Sequence, residues 1–180
     1  MKKTLLAIAI ISLSVSLNAQ KKTTSSATIS FDASTSLDNL PKADNKTVVG
    51  VLDTKSGDIA FEATMKNFSF ANPMMQEHFN SEGWMNSDQF PTATFKGSVK
   101  NISAVNFSKD GTYTAKVEGT LSLHGVTKPV SSDATVIVKA GTISTSADFT
   151  ILLSDYNVSG KAIDAGKVSK ETKIAVKADF

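Results

Sequence analysis

Only two histidines occur, His78 and His124, and the chain has no cysteine, so any metal or base chemistry would have to start from these two residues. As a zinc pair they need a third ligand, Glu77 or Asp88, and they lie on different predicted elements with no ligand spacing between them. Serine is abundant, yet no G-x-S-x-G elbow is present, so a Ser–His–Asp arrangement would rest on composition alone. Glu77 and Glu82 read as exposed acids on a helix, not as a catalytic carboxylate pair. The pattern predicts no metal, no cofactor and no catalysis. An enzyme with His78 or His124 as base is the weakest of three hypotheses.

The chemistry that spacing does favour is apolar. Residues 72–91 alone read as helix and loop in a chain that otherwise alternates as strands. Asn72 is a good N-cap and Pro73 suits the first helical position, where its missing N–H is not needed. Met74 pairs with His78, and Met75 with Phe79, at i,i+4 spacing. Gly83 is expected to end this helix, and Phe90-Pro91 to open an extended run. Two readings stand. The helix plugs one end of a sheet or barrel, or its methionines, soft enough to fit variable shapes, also line a ligand entrance.

The elements that position this segment follow period two. Ala27, Ile29 and Phe31 alternate with polar residues; 34–46 reads as a connection with a short helical turn near Leu37 and Leu40; Val48 to Leu52 is a short strand. Lys55-Ser56-Gly57-Asp58 makes a hairpin turn before Ile59, Phe61, Ala63 and Met65 share one face. Phe68 and Phe70 then fall on the opposite parity, which predicts a bulge or bend near Asn67. Ala93, Phe95, Gly97 and Val99 face inward on the next strand, and Tyr113, Ala115, Val117, Gly119, Leu121 and Leu123 on the longest. His124 to Pro129 turns the chain. Val130 to Val138, Ile143 to Leu153 and Val168 to Ala178 supply three more strands, with 155–167 as a loop. The expected fold is all-β: an antiparallel barrel of about eight strands with one short helix capping or lining one end. A β-sandwich gives the same alternation, so periodicity leaves that alternative open.

The first segment reads as an address. Lys2 and Lys3 precede an apolar run from Leu5 to Leu17, and Ala19 is the small residue at the expected cleavage point. Residues 1–19 are therefore expected to be a signal peptide, 20–26 a flexible leader, and 27–180 one domain. Export to the bacterial periplasm, or secretion, is expected. The 19 bases are all lysine, against 17 acids; losing Lys2 and Lys3 leaves 17 of each. Without arginine there is no bidentate fork for phosphate or carboxylate, and without a basic stripe nucleic-acid binding is not expected. No disulfide can form, so a core must hold the fold.

His78-Phe79, Phe90-Pro91-Thr92-Ala93-Thr94-Phe95 and the run Val117 to Val130 through Leu123-His124-Gly125 resemble the YceI-like family. Phe149 to Val158, with Ser154-Asp155-Tyr156-Asn157-Val158, is similar to its closing motif, although Asn157 stands where that family has glycine and Ser154 where it often has a basic residue. The resemblance implies an exported, lipocalin-like barrel that binds a long apolar lipid, isoprenoid-like or otherwise amphiphilic, and it implies no catalysis. With an unfilled interior, the residues expected to line it are Phe61, Met65, Phe68, Phe70, Met74, Met75, Phe79, Trp84, Phe95, Val117, Leu121 and Phe149. The expected partner is a hydrophobic small molecule, with transient membrane contact; monomer and homodimer stay open. The second hypothesis is a filled, non-catalytic β-module acting as a structural or interaction surface at the cell surface.

Overall fold

His124 and Gly125 both adopt positive φ, 51° and 75°, which is the geometry a two-residue hairpin needs to match strand twist. They join the two longest strands of the fold. A computed structural model describes residues 20–180; the expected export signal, residues 1–19, lies outside the described residues. The strands are β1 (Lys21–Asp32), β2 (Lys42–Asp53), β3 (Asp58–Thr64), β4 (Ser69–Phe70), β5 (Thr92–Val99), β6 (Gly111–Leu123), β7 (Val126–Lys139), β8 (Thr142–Leu152) and β9 (Glu171–Asp179). Two short helices accompany them, α1 (Pro73–Asn80) and α2 (Lys161–Asp164).

All pairs are antiparallel, and the ladder runs β1-β9-β8-β7-β6-β5-β3-β2 before β2 returns to β1. Eight strands thus close a barrel, and two-residue β4 hangs on β2. Closure leaves no edge within the ring to pair with another chain, and it decides against the sandwich. No helix among the described residues is long and apolar enough to cross a membrane.

The expected loose leader is the first half of a strand. Lys21 to Thr24 pair with Asp53 to Gly50 of β2, because backbone ladders form regardless of side-chain polarity. β2 likewise begins at Lys42, well before Val48, and buries Ala43 and Asn45 on its inner face. The Asn45 amide, fully buried, donates to the Thr64 carbonyl and accepts the Thr47 N–H, each at 2.9 Å. No helical turn forms near Leu37; the Thr35 hydroxyl instead accepts the N–H groups of Leu37 and Asp38 at 3.2 Å. The parity change before Phe68 is made by a 3₁₀ turn, Met65–Asn67, which keeps both Met65 and Phe68 buried.

Pro129 lies inside β7, not in a turn, opposite Thr120. β8 pairs with β7 only from Ala134 onward, so the missing proline N–H faces an unpaired stretch. The loop 155–167 contains α2 and part of a 3₁₀ turn, Leu153–Tyr156. Asn72 caps α1 as its type predicts, accepting the Met74 N–H at 2.9 Å, with Pro73 at the first position. The helix stops at Asn80, earlier than Gly83, because the Ser81 hydroxyl and N–H both cap the His78 carbonyl, at 2.7 and 3.2 Å.

Candidate ligand-binding cavity

Inward side chains along each strand fall into two kinds. Near the strand ends they are buried outright, as with Met65, Val99, Ala115, Val136, Ile143 and Leu153. In the middle they are only half-buried, as with Phe61, Phe95, Val117, Leu121, Phe149 and Ile174, although they point into a closed ring. The surface they expose belongs to an internal cavity of about 180 Å³ that runs between two packed clusters. No charged side chain lines it.

Three glycines shape the wall. At Gly97 and Gly119, paired across β5 and β6, a Cβ would stand 2.7 Å from Phe95 Cζ, and at Gly50 it would stand 2.5 Å from Phe61 Cε1. Each ring therefore occupies space that a side chain at the neighbouring glycine would need. The alternation of small and large residues on these strands makes room for a ligand as well as for curvature.

Of the expected lining residues, Phe61, Met65, Phe68, Phe79, Trp84, Phe95, Val117, Leu121 and Phe149 border the cavity. Phe70, Met74 and Met75 do not. Phe70 is buried behind the wall, its ring centroid 5.6 Å from Phe31 and 5.0 Å from Phe79. Met74 shares the outer face of α1 with His78 and is 65% exposed, while Met75 packs beside the core on the Phe79 face. An i,i+4 pair says which residues share a face but not which face is buried. Lining residues that sequence reasoning missed include Phe31, Leu123, Thr172 and Ile174. Alternation on β1, β6 and β9 could have found all but Thr172.

The histidines are placed apart from this interior. His78 is exposed on α1, and among the described residues no group of three or more His, Asp or Glu stands together as a metal site. His124 instead ties three segments together. Its Nδ1–H donates to the Tyr156 carbonyl at 2.9 Å, and its ring meets Phe90 edge-on at 4.7 Å. A Cβ on Gly125 would strike that same Phe90 ring at 2.7 Å. Asn157 follows at φ 57°, the left-handed region that glycine or asparagine accepts. The motif residues at 90, 124–125 and 156–157 thus fasten the loops at one end of the barrel. Burial first, and then the charge of neighbouring Asp155, hold the Tyr156 phenol above its ordinary range, so it stays neutral.

A second hollow, about 750 Å³, opens among outward residues that include Asp32, Lys42, Asp44, Asp148 and Lys173. Its larger volume is lined by charged residues, so the apolar cavity inside the barrel is the better candidate for a hydrophobic ligand.

Residues 7–180 match the model of the YceI-like domain. Among solved structures, the chain is similar to a polyisoprenoid binding domain from Saccharophagus degradans, at TM-score 0.75 and 12% identity over 89% of this chain and 97% of that one. It is similar to Burkholderia cenocepacia BcnA at TM-score 0.70 and 18% identity, over 86% and 96%. A Campylobacter jejuni YCEI protein matches at TM-score 0.54 and 18% identity, over 100% and 99%. No curated protein matches the chain.

Proposed function

The chain belongs to the YceI-like family, and from that premise we propose that it is a non-catalytic carrier whose barrel takes up a long apolar chain, isoprenoid-like or otherwise amphiphilic. The observation that carries this reading is the uncharged cavity bordered by half-buried aromatic rings inside a closed ring of strands. The Saccharophagus degradans domain, described as polyisoprenoid-binding, supports the ligand class. Each buried CH₂ contributes about 0.8 kcal/mol at best, so affinity needs no charged clamp, in keeping with a chain that lacks arginine.

A volume of about 180 Å³ is below the roughly 300–1,000 Å³ of drug-sized pockets, so a long chain enters only as the walls give. With export through the segment 1–19, the carrier works outside the cytoplasm, in the periplasm or beyond. Leu37 and Met74, 75% and 65% exposed, suit transient contact with a membrane that supplies the ligand.

Native mass spectrometry of the protein purified without detergent, followed by organic extraction, tests this reading. A reproducible bound mass that extracts as a long-chain lipid is the expected result. A bare polypeptide that also refuses added isoprenoids and fatty acids would leave a filled, structural barrel.

A further inference from the structure

Four polar side chains are buried among the described residues: Thr24, Asn45, Ser87 and Thr172. Three have partners. Thr24 Oγ1 accepts the Ser26 N–H at 3.3 Å, Asn45 is held as described above, and the Ser87 hydroxyl donates to Asn80 Oδ1 at 2.7 Å. Thr172, 3% exposed, is the exception: its Oγ1 has no hydrogen-bond partner and its side chain borders the cavity.

The surroundings make this orphan costly. Thr172 opens the inner face of β9 opposite Ile151, and Ala33 and Leu153 border the same space. Leaving a buried hydroxyl unpaired is destabilising, and apolar valine, of nearly the same shape, would avoid that cost. Of the other hydroxyls on the lining, Thr145 donates to the Ala178 carbonyl at 3.3 Å and Ser132 to the Asp148 carbonyl at 2.9 Å, while Thr94 and Ser146 are only half-buried.

We propose that the Thr172 hydroxyl is the polar anchor of the cavity, hydrogen-bonding an uncharged oxygen on the ligand, either an alcohol or a carbonyl. A hydroxyl both donates and accepts, so it serves either group. A carboxylate or phosphate is not held there, because no lysine lines the cavity to offset its desolvation. The ligand class narrows to apolar chains bearing a neutral oxygen. This assignment rests on the carrier reading.

The test titrates decan-1-ol and decane into the protein and into Thr172→Val and Thr172→Ser, read by fluorescence of the single tryptophan, Trp84, which borders the cavity. Thr172→Val is expected to weaken decan-1-ol about tenfold while leaving decane unchanged, and Thr172→Ser to retain decan-1-ol. Equal losses for both probes, or no loss for either, overturn the anchor and leave the carrier reading standing. Thr172→Val that loses thermal stability while still binding decan-1-ol unchanged also overturns it, and assigns the hydroxyl to a buried water. Failure of the unaltered protein to bind either probe removes the carrier reading and the anchor together.

Discussion

At one end of the barrel the strands are joined by residues 33–41, by the α1 segment, by the His124-Gly125 hairpin and by residues 153–170. At the other end they are joined by tight turns at 54–57 and 140–141 and by the 100–110 link. The first end is closed by side chains. Phe31, Phe68, Phe70 and Phe79 interlock with centroids 5.0–5.8 Å apart, and Phe79 is the buried residue of α1. The second end is closed by backbone and aliphatics. Ile143 and Phe180 exchange N–H groups at 2.9 and 3.2 Å, the Asn101 amide bridges to Thr114 and Lys116, and Leu52, Val99, Val136, Val138 and Ile143 fill the space. Swinging α1 aside separates rings but breaks few ladder bonds, whereas opening the other end unzips the sheet. On the carrier reading proposed above, the helix end is therefore the one expected to admit a ligand.

The largest expected effect comes from truncating the two plugs. Phe79→Ala should lower stability by about 3–5 kcal/mol and Ile143→Ala by about 2–5 kcal/mol in urea unfolding. Hydrogen exchange should separate them: Phe79→Ala exposes residues 72–90 locally and speeds ligand uptake, while Ile143→Ala loosens the sheet and leaves the uptake rate alone. Faster uptake in Ile143→Ala alone would reverse the assignment of the two ends.

A smaller contrast lies in the turns. Each end holds a non-glycine residue in the left-handed region, Asn157 at φ 57° and Ala140 at φ 50°. Asparagine accepts that conformation and alanine resists it, so Ala140→Gly should stabilise by about 1 kcal/mol and Asn157→Gly should change little. Equal gains at both positions would erase the distinction.

The smallest effect is on acid stability. At the helix end, burial raises the Asp32 pKa, but hydrogen bonds from the Ser34 hydroxyl and N–H and the nearby Lys42 ammonium outweigh it, leaving the carboxyl below its ordinary 3.8. At the other end Asp53 is lowered by the N–H groups of Ser56 and Lys55. A carboxylate with a depressed folded pKa contributes stability above the unfolded value, and that contribution is lost as pH falls through the folded one. Stability should therefore decline below about pH 4, and Asp32→Asn should flatten that limb of a pH–denaturation series. An unchanged acid limb in Asp32→Asn would show that this network contributes nothing.

Strands with apolar inner faces are legible in the sequence alone: Phe61, Phe95 and Leu121 stand on the faces their parity assigns. Where the inner face is polar, alternation fails as a guide. Lys21 to Ser26 and Lys42 to Thr47 lie in strands that pair through backbone, and Asn45, buried and satisfied, counts as polar in any hydropathy pattern. Pro129 reads as a turn because sequence cannot show that its N–H would face an unpaired stretch. Thr172 escapes notice for the reason it matters: its hydroxyl is a polar exception on an apolar face.

Ring closure has a consequence for the order in which the molecule is made. β1 pairs with β2, but its other edge waits for β9, with Phe31 opposite Ile174. A chain emerging from its N-terminus carries an open seam, with unpaired edges on β1 and β8, until Glu171–Asp179 arrives. Until then there is a greasy trough and no closed interior, so a ligand of the proposed carrier would find no complete wall during synthesis. Thr172, near the start of the last strand, is among the last pieces of the wall to fall into place.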